Sequence, residues 1–247
     1  MTTPNPTTTS RKPADRERAS TMSLPILPAG PAPAAVWQGT GGELKALLRA
    51  VLVHTVREDL FEALEMVVFE VDHTTLYLVA TDRHTLGIAR TVVKPSPAGV
   101  RFAIAVEADA LAQTARTLRS REPVTLTVTS DGVEVDRHRI RQTIPSQTVD
   151  GFPDWRRLFA SLASKTPTGG EPTGFHPRFL TRFQTATCGE YVPLVIRHYG
   201  PTEATVITCG DWFAGALMPM RLHDAATEAL NDWLTTCHGD QTQEAAA

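Results

Sequence analysis

Two side chains that could exchange a proton stand two residues apart in LYLVATDRHTLGIAR, residues 76–90. Asp82 and His84 fall in a polar corner between two apolar runs, and a carboxylate beside an imidazole can act as a general acid–base pair. An aspartate in a turn also accepts hydrogen bonds from its own backbone, which accounts for Asp82 without catalysis. We favour the turn, because the sequence shows no catalytic constellation around the pair.

Other signatures of chemistry are absent from the sequence. The string GTGGE (39–43) is not followed by the Gly-Lys-Ser/Thr of a phosphate loop. The eight histidines lack the HxxxH and HExxH spacings of metal sites, and the three cysteines, Cys188, Cys209 and Cys237, form no CxxC pair. We therefore predict a protein that is not an enzyme and that holds no metal and no cofactor.

The composition predicts a cytoplasmic globular body between two polar tails. No apolar run reaches the roughly 20 residues of a membrane span, and the N-terminus lacks the apolar core of a signal peptide. Residues 1–35 are rich in Pro, Thr, Ser and Ala, which predicts a disordered tail. Residues 223–247 carry five acidic residues and no Lys or Arg, which predicts an acidic tail with one short helix. The formal net charge of −3 means that any contact with nucleic acid must come from locally placed basic groups.

A helix followed by about three strands recurs three times between the tails. The helical periodicities cover 41–55, 106–120 and 176–186. The predicted strands are 61–71, 75–81, 86–93, 124–130, 133–139, 142–146, 193–200, 204–210 and 213–222. This internal repeat predicts an α+β fold with helices on one face of antiparallel sheets.

Each predicted helix also carries two basic residues three or four positions apart, so that both lie on one helical face. The three pairs are Lys45 with Arg49, Arg116 with Arg119, and Arg178 with Arg182. Three such helices could line one positive surface, although arginines on solvated helix faces are also ordinary.

Three further stretches, taken together, resemble the bacterial DNA polymerase III beta sliding clamp. They are the hairpin 76–90, TIPSQTVDGFPDWRRLF (143–159) and GALMPMRL (215–222), and they occur in the order that the family has. The resemblance implies the DNA-clamp (processivity) fold. It covers one domain of the family's central type and only the second half of its C-terminal domain, so that three helix-plus-sheet modules stand where a full subunit has six.

The resemblance implies a groove that holds short linear peptides of DNA polymerase, the clamp loader and repair proteins. Methionines beside a proline at a strand end would make an adaptable apolar floor. The residues that match the family's groove are Leu64, Thr81, Arg83, His84, Leu86, Pro153, Arg157, Leu158, Met218, Pro219, Met220 and Arg221. Thr85 and Ala216 depart from the family pattern, which would weaken or retune peptide binding.

The family also encircles double-stranded DNA with basic helices, which would make the three basic pairs nonspecific phosphate contacts. A closed ring would need about four copies of such a chain, so a homo-oligomer is one expectation. The alternative is a peptide-binding adaptor, decoy or regulator of the replication clamp that does not encircle DNA. The predicted divisions are a tail (1–35), a clamp domain (36–158), a linker (159–173), a half domain (174–222) and a second tail (223–247).

Overall fold

The computed structural model describes residues 35–56, 61–94, 101–168, 172–188 and 192–232. The predicted disordered tail lies outside these residues except for Ala35, which begins a strand. The predicted short helix of the acidic tail falls at residues 224–232, and the rest of that tail lies outside the described part of the chain.

The first two modules form an eight-stranded unit. The first contains β1 (Ala35–Thr40), α1 (Gly41–Leu52), a 3₁₀ helix (Glu62–Glu65), β2 (Met66–Asp72), β3 (Thr75–Thr81) and β4 (Thr85–Val92). The second contains β5 (Phe102–Glu107), α2 (Ala108–Thr117), β6 (Pro123–Thr129), β7 (Gly132–Arg137) and β8 (Ile140–Gln147). The predicted strand 61–71 therefore begins with a 3₁₀ turn, and the predicted helix 106–120 is shorter than expected at both ends.

The third module forms a three-stranded unit, residues 172–217. After α3 (Trp155–Ala163), which the sequence analysis did not predict, come α4 (Pro177–Leu180), a 3₁₀ helix (Thr181–Thr187), β9 (Leu194–Arg197), β10 (Thr205–Cys209) and β11 (Phe213–Leu217). The predicted helix 176–186 is thus a single α-turn that continues as 3₁₀ helix. The helix α3 crosses the predicted boundary between clamp domain and linker, and the predicted domain division stays a prediction.

All eleven strands lie in one antiparallel sheet, in the order β1-β6-β7-β8-β5-β2-β3-β4-β11-β10-β9. The leading strand of each of the first two modules completes the sheet of the other, because β1 pairs with β6 and β5 pairs with β2. The two units join where β11 pairs with β4, with Leu217 opposite Thr85 and Phe213 opposite Ala89. This arrangement confirms the α+β class and the repeated helix-plus-sheet modules.

The start of α1 shows why the glycine-rich string is structural. Thr40 and Glu43 form a capping box, in which Thr40 Oγ1 accepts from Glu43 N (3.3 Å) and Glu43 Oε2 accepts from Thr40 N (2.7 Å). The backbone N–H of Gly41 donates to Glu122 O at 2.8 Å. A Cβ at Gly41 would lie 2.3 Å from the carbonyl oxygen of Arg119, so only glycine fits this approach.

The two faces of the sheet are covered differently. The helix α1 packs against α2 on one side and the 3₁₀ helix Thr181–Thr187 on the other, so the three modules present one helix layer. The opposite face of β2, β3, β4 and β11 carries a second apolar cluster, which includes Val68, Ile88 and Ala216 and against which α3 packs.

Candidate peptide-binding cleft and helix layer

The corner between β3 and β4 is built by Asp82, as the turn interpretation predicted. Its Oδ1 accepts from His84 N (3.0 Å), Thr85 N (2.7 Å) and Thr85 Oγ1 (2.9 Å). The hydroxyl of Thr81 donates to Thr85 O at 2.8 Å and accepts from Arg83 N at 3.2 Å. Arg83 has a φ of 73°, an uncommon left-handed conformation that these hydrogen bonds hold. The carboxylate therefore sets backbone geometry.

The other oxygen of Asp82 is occupied by Arg182 from the 3₁₀ helix Thr181–Thr187. The Arg182 guanidinium donates to Asp82 Oδ2, and to Thr85 Oγ1 at 2.7 Å. Both side chains are largely buried, with 15% of Arg182 and 2% of Asp82 exposed. Burial by itself raises the pKa of the Asp82 carboxyl, but the hydrogen bonds from Thr85 and Arg182 outweigh burial and hold that pKa below its usual range.

This ion pair corrects the grouping of Arg182 with the basic surface of the helices. Its charge is matched inside the molecule, and its guanidinium lies over the Phe179 ring, 4.9 Å from the centroid. The residues of the pair are 100 positions apart in sequence, so helical spacing gave no signal for this contact. Arg182 joins the two units through the corner.

The side chains that follow Asp82 lie on aromatic rings. The Arg83 guanidinium is 3.9 Å from the centroid of Phe61, whose side chain is 54% exposed. The His84 ring stacks on Phe179 with a centroid distance of 4.8 Å and an interplanar angle of 13°. Both side chains are exposed at the surface.

The segment MPMRL begins where β11 ends, which shortens the predicted strand 213–222 to Phe213–Leu217. Met218 N donates to His84 O at 2.9 Å, which ties the segment to the corner. Met220 N donates to Gly174 O at 2.8 Å and pairs with that residue in an isolated bridge. Proline cannot continue the ladder, and Met218 and Met220 remain 41% and 48% exposed.

The apolar cluster behind the corner brings together residues from all three family-like stretches. Leu86, Ala216 and the partly buried Leu158 belong to the same cluster, together with Phe152 and Trp155. Leu86 and Ala216 are only 5% and 4% exposed, so both are covered in the structure.

The remaining predicted cleft residues take different positions. Leu64 and Thr81 are buried, each 3% exposed, and Leu64 accepts a hydrogen bond from Val56 N at 3.0 Å. Pro153 is half-buried just before α3, and the side chain of Arg157 is exposed on that helix. Pro219 is half-buried, and Arg221 is exposed after the strand.

The helix layer holds the other predicted basic residues. Lys45 and Arg49 line a groove of about 600 Å³ between α1 and the 3₁₀ helix Thr181–Thr187, whose far wall carries Thr181, Gln184 and Thr185. Arg116 lies in the last turn of α2, but Arg119 lies beyond its end at Thr117, so these two do not share a helical face. Arg119 is exposed in the loop whose Ser120 lines the same groove.

Arg178 lines a second cavity of about 600 Å³, between the C-terminal end of α1 and the first turn of α2. Asp109 and Arg182 also line it. The helix layer therefore presents basic side chains on both sides of α1.

No cluster of three or more His, Cys, Asp or Glu side chains in the described ranges could hold a metal ion. Among the helices of the described part of the chain, none is both long and apolar enough to cross a membrane.

Comparison with known proteins supports the resemblance at the level of the domain, the chain and the fold. Residues 40–154 match the family described as DNA polymerase III beta subunit, central domain. The beta sliding clamp of Vibrio cholerae is 31% identical over 163 residues, which cover 61% of this chain and 43% of that protein. The chain thus spans less than half the length of this relative.

Two solved clamps share the fold. The DNA polymerase sliding clamp of Pseudomonas aeruginosa superposes with a TM-score of 0.62 at 17% identity, over 79% of this chain and 70% of that one. The clamp of Bacillus subtilis gives a TM-score of 0.58 at 13% identity, over 82% and 67% of the two chains. Residues 40–154 therefore match the central domain of the DNA polymerase III beta subunit, and the chain is similar to bacterial beta sliding clamps over part of their length.

Proposed function

We propose that this chain is a sliding-clamp-type processivity factor that binds short linear motifs of DNA polymerase and of other replication and repair proteins. The observation that carries the proposal is the convergence of three family-like stretches on one cleft: the corner after β3, the segment that opens α3, and the segment that follows β11. Met218 is hydrogen-bonded to the corner, and Leu86, Leu158 and Ala216 share one apolar cluster. The same observation fits a non-ring adaptor or decoy, and the basic side chains of the helix layer are what favours the clamp.

In this proposal the rim of the cleft receives the peptide first. Met218, Met220 and Phe61 expose apolar surface, and methionine adapts to differently shaped side chains. Arg83 and His84 stand beside this surface, where they can hydrogen-bond peptide carbonyls or carboxylates. Arg157 and Arg221, both exposed, would extend the polar border.

The helix layer would hold duplex DNA by its phosphates. Lys45 and Arg49 line one side of a groove whose other side offers the side-chain amide of Gln184. Such groups bind phosphate oxygens without reading the base sequence. Arg116, Arg119 and Arg178 extend this set, and Arg182 is left out because Asp82 matches its charge.

Assembly and location follow from the same proposal. The outermost strand β9 exposes Val195 (58%) and Ile196 (57%), which suits edge-to-edge pairing between copies of this chain. We place the chain in the cytoplasm, where a clamp loader would load it onto DNA. We also divide it into a clamp domain and a half domain. Retention on nicked circular DNA but not on linear DNA would identify a closed ring, whereas retention on neither would favour the adaptor.

Charge reversal of Lys45 and Arg49 tests the DNA surface. We expect the affinity of the double variant for duplex DNA in low salt to fall at least about tenfold. The slope of log K against log salt is expected to become less steep by about 0.9 for each phosphate contact that is lost. Fluorescence anisotropy with a labelled duplex at several salt concentrations measures both. Arg139→Glu, an exposed residue of the β7–β8 turn, is the matched control, and an equal loss in that variant would refute a specific helix-layer surface.

Substitution of Met218 by aspartate tests the peptide cleft. We expect at least about tenfold weaker binding of a fluorescein-labelled clamp-binding peptide from a bacterial replicative polymerase, because a carboxylate replaces apolar contact area. Val92→Asp is a matched control, since Val92 is 77% exposed at the far end of β4. Unchanged binding by the Met218 variant would count against the cleft.

A further inference from the structure

We propose that α3 is a strap that lies across the floor of the peptide cleft, so that a bound motif must lift the C-terminal half of this helix. The inference rests on the proposed function, because it concerns regulation of the same cleft. It starts from the one helix that the sequence analysis did not predict.

The apolar face of α3 covers the seam between the two units. Trp155, Leu158, Phe159 and Leu162 stand at positions i, i+3, i+4 and i+7, which places them on one side of the helix. Trp155 and Leu162 are 8% and 2% exposed, and all four pack within the cluster that contains the cleft floor.

The path of the helix follows from contacts near its two ends. The Trp155 ring lies 5.4 Å from the ring of Tyr77 on β3, centroid to centroid. Beyond its C-terminal end, Lys165 is paired with Glu203, which precedes β10. Between β3 and β10 lie β4 and β11, the strands whose pairing joins the units. The helix therefore passes over the strands that carry Leu86 and Ala216, the floor residues that are 5% and 4% exposed.

The N-terminal end of α3 is held by a buried carboxylate. Glu70 is 3% exposed, and its oxygens accept from Trp155 Nε1 at 3.1 Å and from Arg156 Nε at 3.0 Å. Arg156 also pairs with Asp72 at 3.2 Å. Hydrogen bonds to a charged, buried group are the strong ones, so this end acts as a hinge that stays in place.

The C-terminal end is held by weaker contacts. Lys165 Nζ lies 2.6 Å from Glu203 Oε1, but these side chains are 39% and 38% exposed, and exposed ion pairs contribute little. Thr168 N donates to His198 O at 3.0 Å. The main resistance to lifting is thus the burial of Leu162, which an apolar motif can replace with its own side chain.

Apolar side chains at the rim of the cleft remain exposed while α3 covers the floor. Phe61, Met218 and Met220 are 54%, 41% and 48% exposed at the rim. A motif can bind the rim first and then compete for the floor. The apparent affinity is then the intrinsic affinity multiplied by the fraction of molecules in which the strap is lifted.

The Lys165–Glu203 ion pair and the contact of Leu162 with the cleft floor can be changed separately. Lys165→Glu removes the attraction to Glu203 and is expected to tighten binding of the same fluorescein-labelled polymerase peptide by about two- to fivefold. The exchanged pair Lys165→Glu with Glu203→Lys is expected to return to the affinity of the unaltered protein. Leu162→Asp is expected to tighten binding at least tenfold, and Ser161→Asp, on the exposed side of α3, should change little.

Hydrogen exchange of the α3 amides gives a readout that does not depend on the fold of any variant. Saturation of the unaltered protein with the peptide is expected to speed exchange at residues 159–163 and to leave the Trp155 end slow. Slower exchange there, or weaker binding by both Lys165→Glu and Leu162→Asp, would show that α3 is a fixed wall and would overturn the strap. If no variant binds the peptide at all, the proposed function fails instead.

Discussion

Replacement of Asp82 by alanine is expected to reduce the free energy of unfolding by about 3–5 kcal/mol, the cost of stripping a buried ion pair of one partner. The carboxylate accepts hydrogen bonds from His84 N, Thr85 N and Thr85 Oγ1, and it faces Arg182. Alanine therefore removes the bonds that form the corner and leaves a largely buried guanidinium unmatched. Both losses fall at the seam between the eight-stranded and three-stranded units.

The loss of stability is expected to be larger in the three-stranded unit than in the eight-stranded unit. The β4–β11 pairing and the Arg182 contact are among the contacts that attach the three-stranded unit, so hydrogen exchange in β10 and β11 is expected to rise more than in β2 and β5. Urea unfolding at pH 7 measures the total change. Asp150→Ala, an exposed aspartate before α3, is the matched control and should cost less than about 0.5 kcal/mol.

Two further variants separate the turn from the ion pair. Asp82→Asn keeps an oxygen acceptor for the backbone of the corner but cannot neutralise Arg182, so an intermediate loss is expected. Adding Arg182→Met to Asp82→Asn should recover part of that loss, because no buried charge is left unpaired. Strictly additive losses in the double variant would contradict the assignment of Arg182 as the partner of Asp82.

The Asp82 pair also predicts the sign of a pH effect at the acid end. Because the pKa of Asp82 is lowered in the folded state, its stabilisation is present above the unfolded value of about 4. The contribution is lost as the pH falls below that value and through the lower folded pKa.

The local structures that could be predicted from the sequence are those determined by residues only a few positions apart along the chain. The Asp82 turn needs groups within three residues, and the helix at Gly41 begins with the capping box of Thr40 and Glu43. The apolar periodicity of residues 41–55 likewise located α1 and its buried Leu44 and Leu48. Such elements are decided by backbone hydrogen bonds and side-chain period, which neighbouring residues carry.

What the sequence did not reveal depends on residues that are distant along the chain. Arg182 was grouped with the basic helix residues because its helical spacing to Arg178 is visible, whereas its contact with Asp82 spans 100 positions. The helix α3 was not predicted although WRRLFASLA has an amphipathic period, because a domain end at residue 158 and a linker at 159–173 were predicted there. The leading strands β1 and β5 were not predicted, and each completes the sheet of another module through residues distant in sequence.

The buried side chain of His54 is expected to make the stability of the protein depend on pH. It follows α1, it is fully buried, and its ring centroid lies 5.0 Å from that of Phe183 and 6.2 Å from that of Phe213. Neither ring nitrogen has a hydrogen-bond partner among the described residues. A Cβ at position 87 would lie 2.3 Å from the ring, so Gly87 makes room for it.

The surroundings of His54 oppose its protonation. Burial, the largest cause, and the nearby Arg182 charge lower the pKa of the imidazole from 6.5 to about 3, against an opposing effect of the Asp82 carboxylate. Because the pKa is lowered in the folded state, the unfolded chain binds the additional proton between pH 6.5 and about 3. Stability is therefore greatest above pH 6.5 and falls as the solution is acidified through this window.

The expected size of this effect is about 2 kcal/mol between pH 7 and 5, and about 5 kcal/mol if the whole window is crossed. Replacement of His54 by leucine should abolish the loss between pH 7 and 5, where Asp82 stays ionised in both states. At pH 8 the variant should be as stable as the unaltered protein or more stable by up to about 3 kcal/mol, because a buried donor without a partner is removed.

Urea unfolding at half-unit steps from pH 8 to 5 measures the slope in both proteins. His138→Asn, at an exposed turn position with a φ of 52°, is the matched control and should keep the slope of the unaltered protein. Persistence of the slope in His54→Leu would mean that other groups bind the proton on unfolding. Since His54 contacts Phe183 and Phe213 across the seam, its protonation should loosen the attachment of the three-stranded unit, and with it the cleft that both units build.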